Sequence, residues 1–131
     1  MKLNISNKVS SKSGFTLVEI MIVVAIIGLL SAIAIPNFIR ARISSQKSAC
    51  INNLRQLDAA VQQYALENRL VDGSPVTAAN ITPYLGRGES GSVESVICPA
   101  DMARTFATSY TLVDVSTRPA CVIDSATHVI Q

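Results

Sequence analysis

Between Phe15 and Ile35 the chain runs 21 residues with a single charged side chain, Glu19. As an α-helix rising ~1.5 Å per residue, that stretch reaches roughly 30 Å, about the thickness of a bilayer's hydrocarbon layer. A carboxylate in that setting costs about 2.5–3.5 kcal/mol on insertion scales, so it is usually retained for a function or a partner. The simplest partner is a cationic group that meets Glu19 once the chain leaves lipid for an assembly.

What precedes the apolar run is a short basic leader carrying Lys2, Lys8 and Lys12 and no acid. A cleaved secretory signal has a shorter apolar core, about 7–15 residues, with a small-residue cut site after it. Here the run is longer and no such site follows, so composition alone gives a signal-anchor. The sequence Gly14-Phe15-Thr16-Leu17-Val18-Glu19, followed by apolar residues up to Pro36, resembles the amino-terminal signature of type IV pilins and the pseudopilins of type II secretion systems. The resemblance is strong from about Lys12 to Arg42 and general beyond. It implies a prepilin cut between Gly14 and Phe15 by a prepilin peptidase on the cytoplasmic side, followed by N-methylation of Phe15. It also implies a helix that can unwind locally between Gly28 and Pro36 when subunits pack, although tolerated membrane-helix irregularities explain both residues equally well. Because Arg40, Arg42 and Lys47 balance the three leader lysines, flanking charge does not orient the segment. The expected placement is therefore also an implication of the resemblance: a single pass through the bacterial inner membrane, with the bulk periplasmic, and later an extracellular pilus or periplasmic pseudopilus.

Beyond Pro36 the helical pattern resumes. Ile39, Ile43, Cys50, Leu54, Leu57, Val61 and Tyr64 fall on one helix face, with Arg42, Gln46, Lys47, Asn53, Gln56 and Gln63 largely off it. This predicts one helix over about 15–68, bent at Pro36 where a backbone donor is lost. Its end is signalled by Asp72-Gly73-Ser74-Pro75. Thr77 is placed as the cap of a short turn, Pro83 at the start of another, and residues 86–92 as an exposed loop. After that loop the β-branched runs 93–97, 109–115, 120–123 and 128–130 predict three or four antiparallel strands over the apolar helix face. The expected fold class is α+β and pilin-like. Its parts are a leader at 1–14, a transmembrane and assembly helix at 15–36, its amphipathic continuation at 37–70, and a small β-containing head at 71–131.

Glu19 and the amine of Phe15 form the central expected pair. Cleavage after Gly14 frees an amine that stays cationic when methylated, and in a filament the carboxylate of one subunit would neutralise the amine of its neighbour. A pair in a low-dielectric core mostly offsets its own desolvation, so its worth lies in axial register. The blander reading is that Glu19 merely sits at the interface, neutral or snorkelling. Gly14, lacking a side chain, allows a peptidase close approach to the backbone.

Cys50, Cys98 and Cys121 are expected on the outward, oxidising side of the anchor. The expected disulfide is Cys98–Cys121, similar in arrangement to the carboxy-terminal disulfide-bounded loop of many pilins and worth roughly 3 kcal/mol in the chain-entropy model. Cys50 is then a buried free thiol, with a bridge from Cys50 to either other cysteine left open. The cysteine spacings suit no zinc site, and no calcium loop is visible among the scattered Asp72, Asp101, Asp114 and Asp124. His128, the one histidine, is read as a surface or strand residue. No catalytic constellation or phosphate loop surrounds it, so neither enzyme activity nor a cofactor is expected.

The net charge of +2 is too small and dispersed for a nucleic-acid footprint. Removing the leader's three lysines from eleven basic side chains leaves eight against nine acidic, a net of −1. The leading functional expectation is a structural subunit of a type IV pilus-like filament. Its implied partners are copies of itself and other pilins, a prepilin peptidase and methyltransferase, and a membrane platform driven by an assembly ATPase. The alternatives are a major pseudopilin driving protein export and, in another class, a monomeric membrane-tethered binding protein.

Overall fold

A computed structural model describes residues 14–86 and 92–130. Most of the leader and most of the expected 86–92 loop therefore lie outside the described residues. Helix α1 spans Leu17–Glu67, 51 residues, with Pro36 inside it and no interruption of the helical assignment there. The chain forms two compact units divided between Ile39 and Arg40.

In the first unit every large apolar side chain from Phe15 to Ile39 is exposed, by 47–80%. A helix that is apolar on all sides has no solvent face to offer, and it is stable only when lipid or other helices surround it. This helix is long and apolar enough to cross a membrane, with a mean hydropathy of 2.8 in its most apolar window.

In the second unit the outer part of α1 supplies one wall of a small core. Cys50, Leu54, Leu57, Ala60, Val61 and Ala65 are buried, and Tyr64 packs against them half-buried. The opposing wall is Val76, Ile81, Leu85, Val93, Cys98, Tyr110, Val115 and Cys121. The predicted stripe is thus correct from Cys50 onward but not at its start, because Ile39 and Ile43 remain 51% and 59% exposed. Periodicity identifies a face that can be covered, and the cover here begins only at Cys50.

Helix α1 ends with Arg69 in the left-handed region at φ 52° while the Leu70 N–H donates to the Ala65 carbonyl at 2.9 Å. That is a Schellman-type close with arginine where glycine is usual. Next comes α2, Ala78–Ile81, preceded by Thr77, whose N–H donates to the Asn80 Oδ1 at 3.0 Å. A 3-10 turn follows at Thr82–Tyr84, with Pro83 near its start as predicted, and another at Val93–Ser95. Helix α3 is Phe106–Ser109, capped by Thr105. The described sheet has two two-residue strands, β1 at Tyr110–Thr111 and β2 at Ala120–Cys121, antiparallel with Tyr110 opposite Cys121 and Thr111 opposite Ala120. A separate bridge joins Pro75 to Asp114, flanked by Val76 N–H to the Val113 carbonyl and Val115 N–H to the Ser74 carbonyl.

The fold is α+β with a long amino-terminal helix and a small antiparallel sheet, as expected, but far less strand forms than the β-branched runs predicted. Residues 93–95 are a 3-10 turn, and 128–130 carry no strand. The reason is local competition for backbone donors. The Asp114 carboxylate accepts from the N–H groups of Ser116 and Thr117, and Asp124 accepts from those of Ala126 and Thr127. Asp101 does the same for Ala103. Such side-chain turns satisfy the donors a sheet ladder would need.

Candidate functional site

In the first unit the residues expected to be cut, methylated and paired, Gly14, Phe15 and Glu19, sit at the start of α1. Thr16 precedes the helix, and its hydroxyl accepts the Glu19 N–H at 3.2 Å while the Glu19 carboxylate reaches back to the Thr16 N–H at 3.5 Å. This is a capping box, which reciprocally satisfies two of the donors left open at a helix start. Sequence reasoning missed it, although Thr-Leu-Val-Glu before an apolar run is its signature. Within the single chain, Glu19 is therefore occupied by its own helix terminus. Phe15 is 80% exposed beside it. Side-chain atoms built at Gly14 or Gly28 would meet nothing within 4 Å. Among the described residues, no packing calls for glycine at either position.

In the second unit the structure gathers side chains that the sequence keeps far apart. Cys50 comes from α1, Cys98 from the segment after the second 3-10 turn, Cys121 from β2 and His128 from the final turn. Polar residues lying off the apolar stripe set this approach. Asn53 Nδ2 donates to the Ile97 carbonyl at 2.9 Å, and Gln46 Nε2 donates to the Pro99 carbonyl at 3.1 Å. Asp101 N–H closes a turn onto the Cys98 carbonyl at 2.9 Å. Ser109, fully buried, accepts the Cys98 N–H at 3.0 Å and donates to the Asp101 carboxylate at 2.7 Å. Asp124 fixes the last turn, where its carbonyl accepts the His128 N–H at 3.0 Å.

The resulting cluster is buried. Cys50, Cys98 and Cys121 are at most 1% exposed and His128 is 6% exposed, so the histidine is a core residue and neither a surface nor a strand one. All three cysteines are free thiols, with the Cys98 and Cys121 sulfurs 3.9 Å apart. His128 Nδ1 lies 3.8 Å from the Cys98 sulfur and 3.6 Å from that of Cys121. The Tyr110 hydroxyl accepts from Asn53 Nδ2 at 3.1 Å and donates to the Cys50 sulfur at 3.6 Å. Burial pushes the Cys50 thiol well above its ordinary range, with the Tyr110 hydroxyl pulling the other way. Burial likewise raises Cys98, opposed by the Ala100 N–H directed at its sulfur. Left to themselves Cys50 and Cys98 stay protonated and poorly nucleophilic.

Residues 9–35 match the family described as the prokaryotic N-terminal methylation motif. The amino-terminal segment is of the prepilin type. The chain is 54% identical over 54 residues to the type IV major pilin of Myxococcus xanthus, covering 41% of this chain and 24% of that one. It is 38% identical over 87 residues to a fimbrial protein of Pseudomonas aeruginosa, covering 66% and 53%. It is 36% identical over 55 residues to the type II secretion system core protein G of Escherichia coli, covering 42% and 38%. The chain spans between a quarter and about half the length of these curated relatives. No solved structure gives a significant match. The prepilin-type segment and its uncovered apolar helix fit a protein anchored in an inner membrane.

Proposed function

We propose that this chain is a structural, non-enzymatic subunit of a type IV pilus-like filament. It is made as a prepilin, cut after Gly14, methylated on Phe15 and drawn from the inner membrane into the fibre, with its head on the periplasmic side. The observation that carries this reading is an apolar helix with no covered face, bearing its one acid five residues after Gly14, in a segment that matches the methylation motif. The mechanism is an exchange of partners. Lipid contacts of residues 15–35 give way to neighbouring helices, and the Glu19 carboxylate leaves its own helix terminus for the amine of a neighbour's Phe15. Lipid is as apolar as leucine, so close packing and charge neutralisation, rather than the hydrophobic effect, favour the bundle. The openness around Gly14 and Gly28 supports roles set by outside partners: a peptidase at the first, an adjacent helix or a local unwinding towards Pro36 at the second.

Mass spectrometry of the native amino terminus tests this. A chain beginning at methylated Phe15 is expected, whereas an intact Met1 on a permanently monomeric protein would establish the membrane-tethered alternative. Similarity to secretion core protein G favours a second filament reading, a pseudopilin of a type II secretion system. Deleting the gene and scoring surface fibres against protein export separates the two.

A further inference from the structure

The geometry points to a metal site in the head: we propose that Cys50, Cys98, Cys121 and His128 bind one Zn²⁺ as a closed, four-coordinate structural centre. This is independent of the filament reading. Zinc held at ~2.3 Å from sulfur and ~2.0–2.1 Å from nitrogen in a tetrahedron needs S···S edges of about 3.8 Å and S···N edges of about 3.6 Å. The structure places Cys98 and Cys121 3.9 Å apart, and His128 Nδ1 3.8 Å and 3.6 Å from them. Three corners of the tetrahedron are therefore already set. Cys50 supplies the fourth, since all four donor atoms lie within 4.8 Å of one another. The ion draws the Cys50 sulfur inward by at most about 1 Å to reach bonding distance.

The donor set selects the ion. Three thiolates and one imidazole in a tetrahedral array suit zinc and exclude the hard, oxygen-seeking cations. With all four positions filled by protein, no site is left for water or substrate, so the centre is structural. A surrounding group tunes it: the Tyr110 hydroxyl donates to Cys50. That donor offsets part of the net −1 left when three thiolates surround a dication. Binding releases the three thiol protons to solvent, and no oxidant or reductant takes part. A cleft lined by Ala120, Cys121, Ser125 and His128 gives the ion a route in. The ion would tie α1 to the segment after the second 3-10 turn, to β2 and to the last turn, four pieces otherwise joined by few strand hydrogen bonds. A Cys98–Cys121 disulfide is the competing chemistry. It needs the sulfurs at about 2.05 Å and leaves Cys50 and His128 without a chemical role.

The test uses the full chain in mild detergent, isolated under thiol trapping without chelator, then stripped and titrated with Zn²⁺ alone and Co²⁺ alone. Expected are about one ion per chain, release of protons, the spectrum of tetrahedral thiolate-bound Co²⁺, and protection of all three cysteines from alkylation. His128→Cys should keep that spectrum, because it restores a fourth donor, while His128→Ala should lose it. Tyr110→Phe should weaken binding by roughly 10-fold. A stripped chain that unfolds and refolds on adding Zn²⁺ also supports the site. A reduced, folded chain that takes up no Zn²⁺ overturns it. So does uptake that ignores the cysteine and histidine substitutions, or a Cys98–Cys121 disulfide in protein trapped directly from cells.

Discussion

Leu57 and Ile43 lie on the same predicted helix stripe, yet the structure buries the first completely and leaves the second 59% exposed. Substituting each with alanine therefore separates what periodicity claims from what packing does. Leu57→Ala removes three carbons from a site with no solvent contact, worth about 2.4 kcal/mol at ~0.8 kcal/mol per buried carbon group. A cavity that closes only partly adds up to ~1–2 kcal/mol. A total of about 2.5–4 kcal/mol is a large part of the roughly 5–14 kcal/mol that a unit of this size has in hand. At ~4–8 °C per kcal/mol, the head's midpoint should fall by roughly 10–30 °C. Ile43→Ala should change it by no more than about 0.5 kcal/mol. The full chain in mild detergent is heated while near-ultraviolet dichroism follows the tyrosines, Tyr110 being buried in the same core. Amide exchange over residues 54–65 is measured in parallel. Equal losses for the two substitutions, or a Leu57→Ala cost below about 1 kcal/mol, would refute the core described here.

Glu19→Gln keeps the size of the side chain and can still cap the helix start, so processing should proceed while filament yield collapses; a normal yield by microscopy of shed fibres would remove the register argument. Gly14→Val should leave an uncleaved precursor, visible as a heavier band on immunoblots, and cleavage at the usual rate would contradict the role given to that glycine. In the head, Asp101 is held below the usual carboxylate range by the hydroxyls of Thr108 and Ser109, and Asp114 and Asp124 by the donors of their own turns. A depressed folded pKa gives stability that is complete above the unfolded value and lost as pH falls through the folded one. Denaturant midpoints should therefore drop progressively below about pH 4, and Asp101→Asn should flatten that slope by one group's share.

How far the sequence disclosed this molecule depended on whether a signal was local. The apolar run, the stop near Asp72 and the short turns at Thr77 and Pro83 are written in adjacent residues and were readable. The strands were overread because β-branched runs such as Ser109–Val115 also contain or adjoin aspartates and threonines, which capture backbone donors two or three residues away. That signal was present: an aspartate followed three residues later by threonine recurs at Asp114-Val-Ser-Thr117 and Asp124-Ser-Ala-Thr127. The thiol–imidazole cluster was beyond any local reading. Its members are spread over 79 positions between Cys50 and His128, and the groups that bring them together, Asn53 and Gln46, look like ordinary solvent-facing helix residues. A burial pattern predicted Cys50 inside, but nothing in the spacing said what it would meet there.

The capping box at Thr16 and Glu19 alters the energetics of the proposed assembly. An acid in a lipid-length helix looks like an uncompensated charge waiting for a partner, whereas here its own helix terminus already engages it at 3.5 Å from a backbone N–H. That contact is long and joins a charge to a neutral donor. In the proposed filament a neighbour's amine would bring the opposite charge that a backbone N–H cannot supply, in surroundings with little water to weaken the attraction. In that filament exchange would be favourable only where the amine arrives at the right height along the helix, and in a misplaced subunit the carboxylate would keep its own cap while the amine went unpaired. The penalty for misregister would then be loss of the ion pair with one of its two charges still hydrogen-bonded, smaller than that of stranding two bare charges. Such a smaller penalty would permit a subunit to sample and leave a wrong position before it locks. In the proposed filament a capped acid would thus make register correctable as well as specific, which a bare one would not.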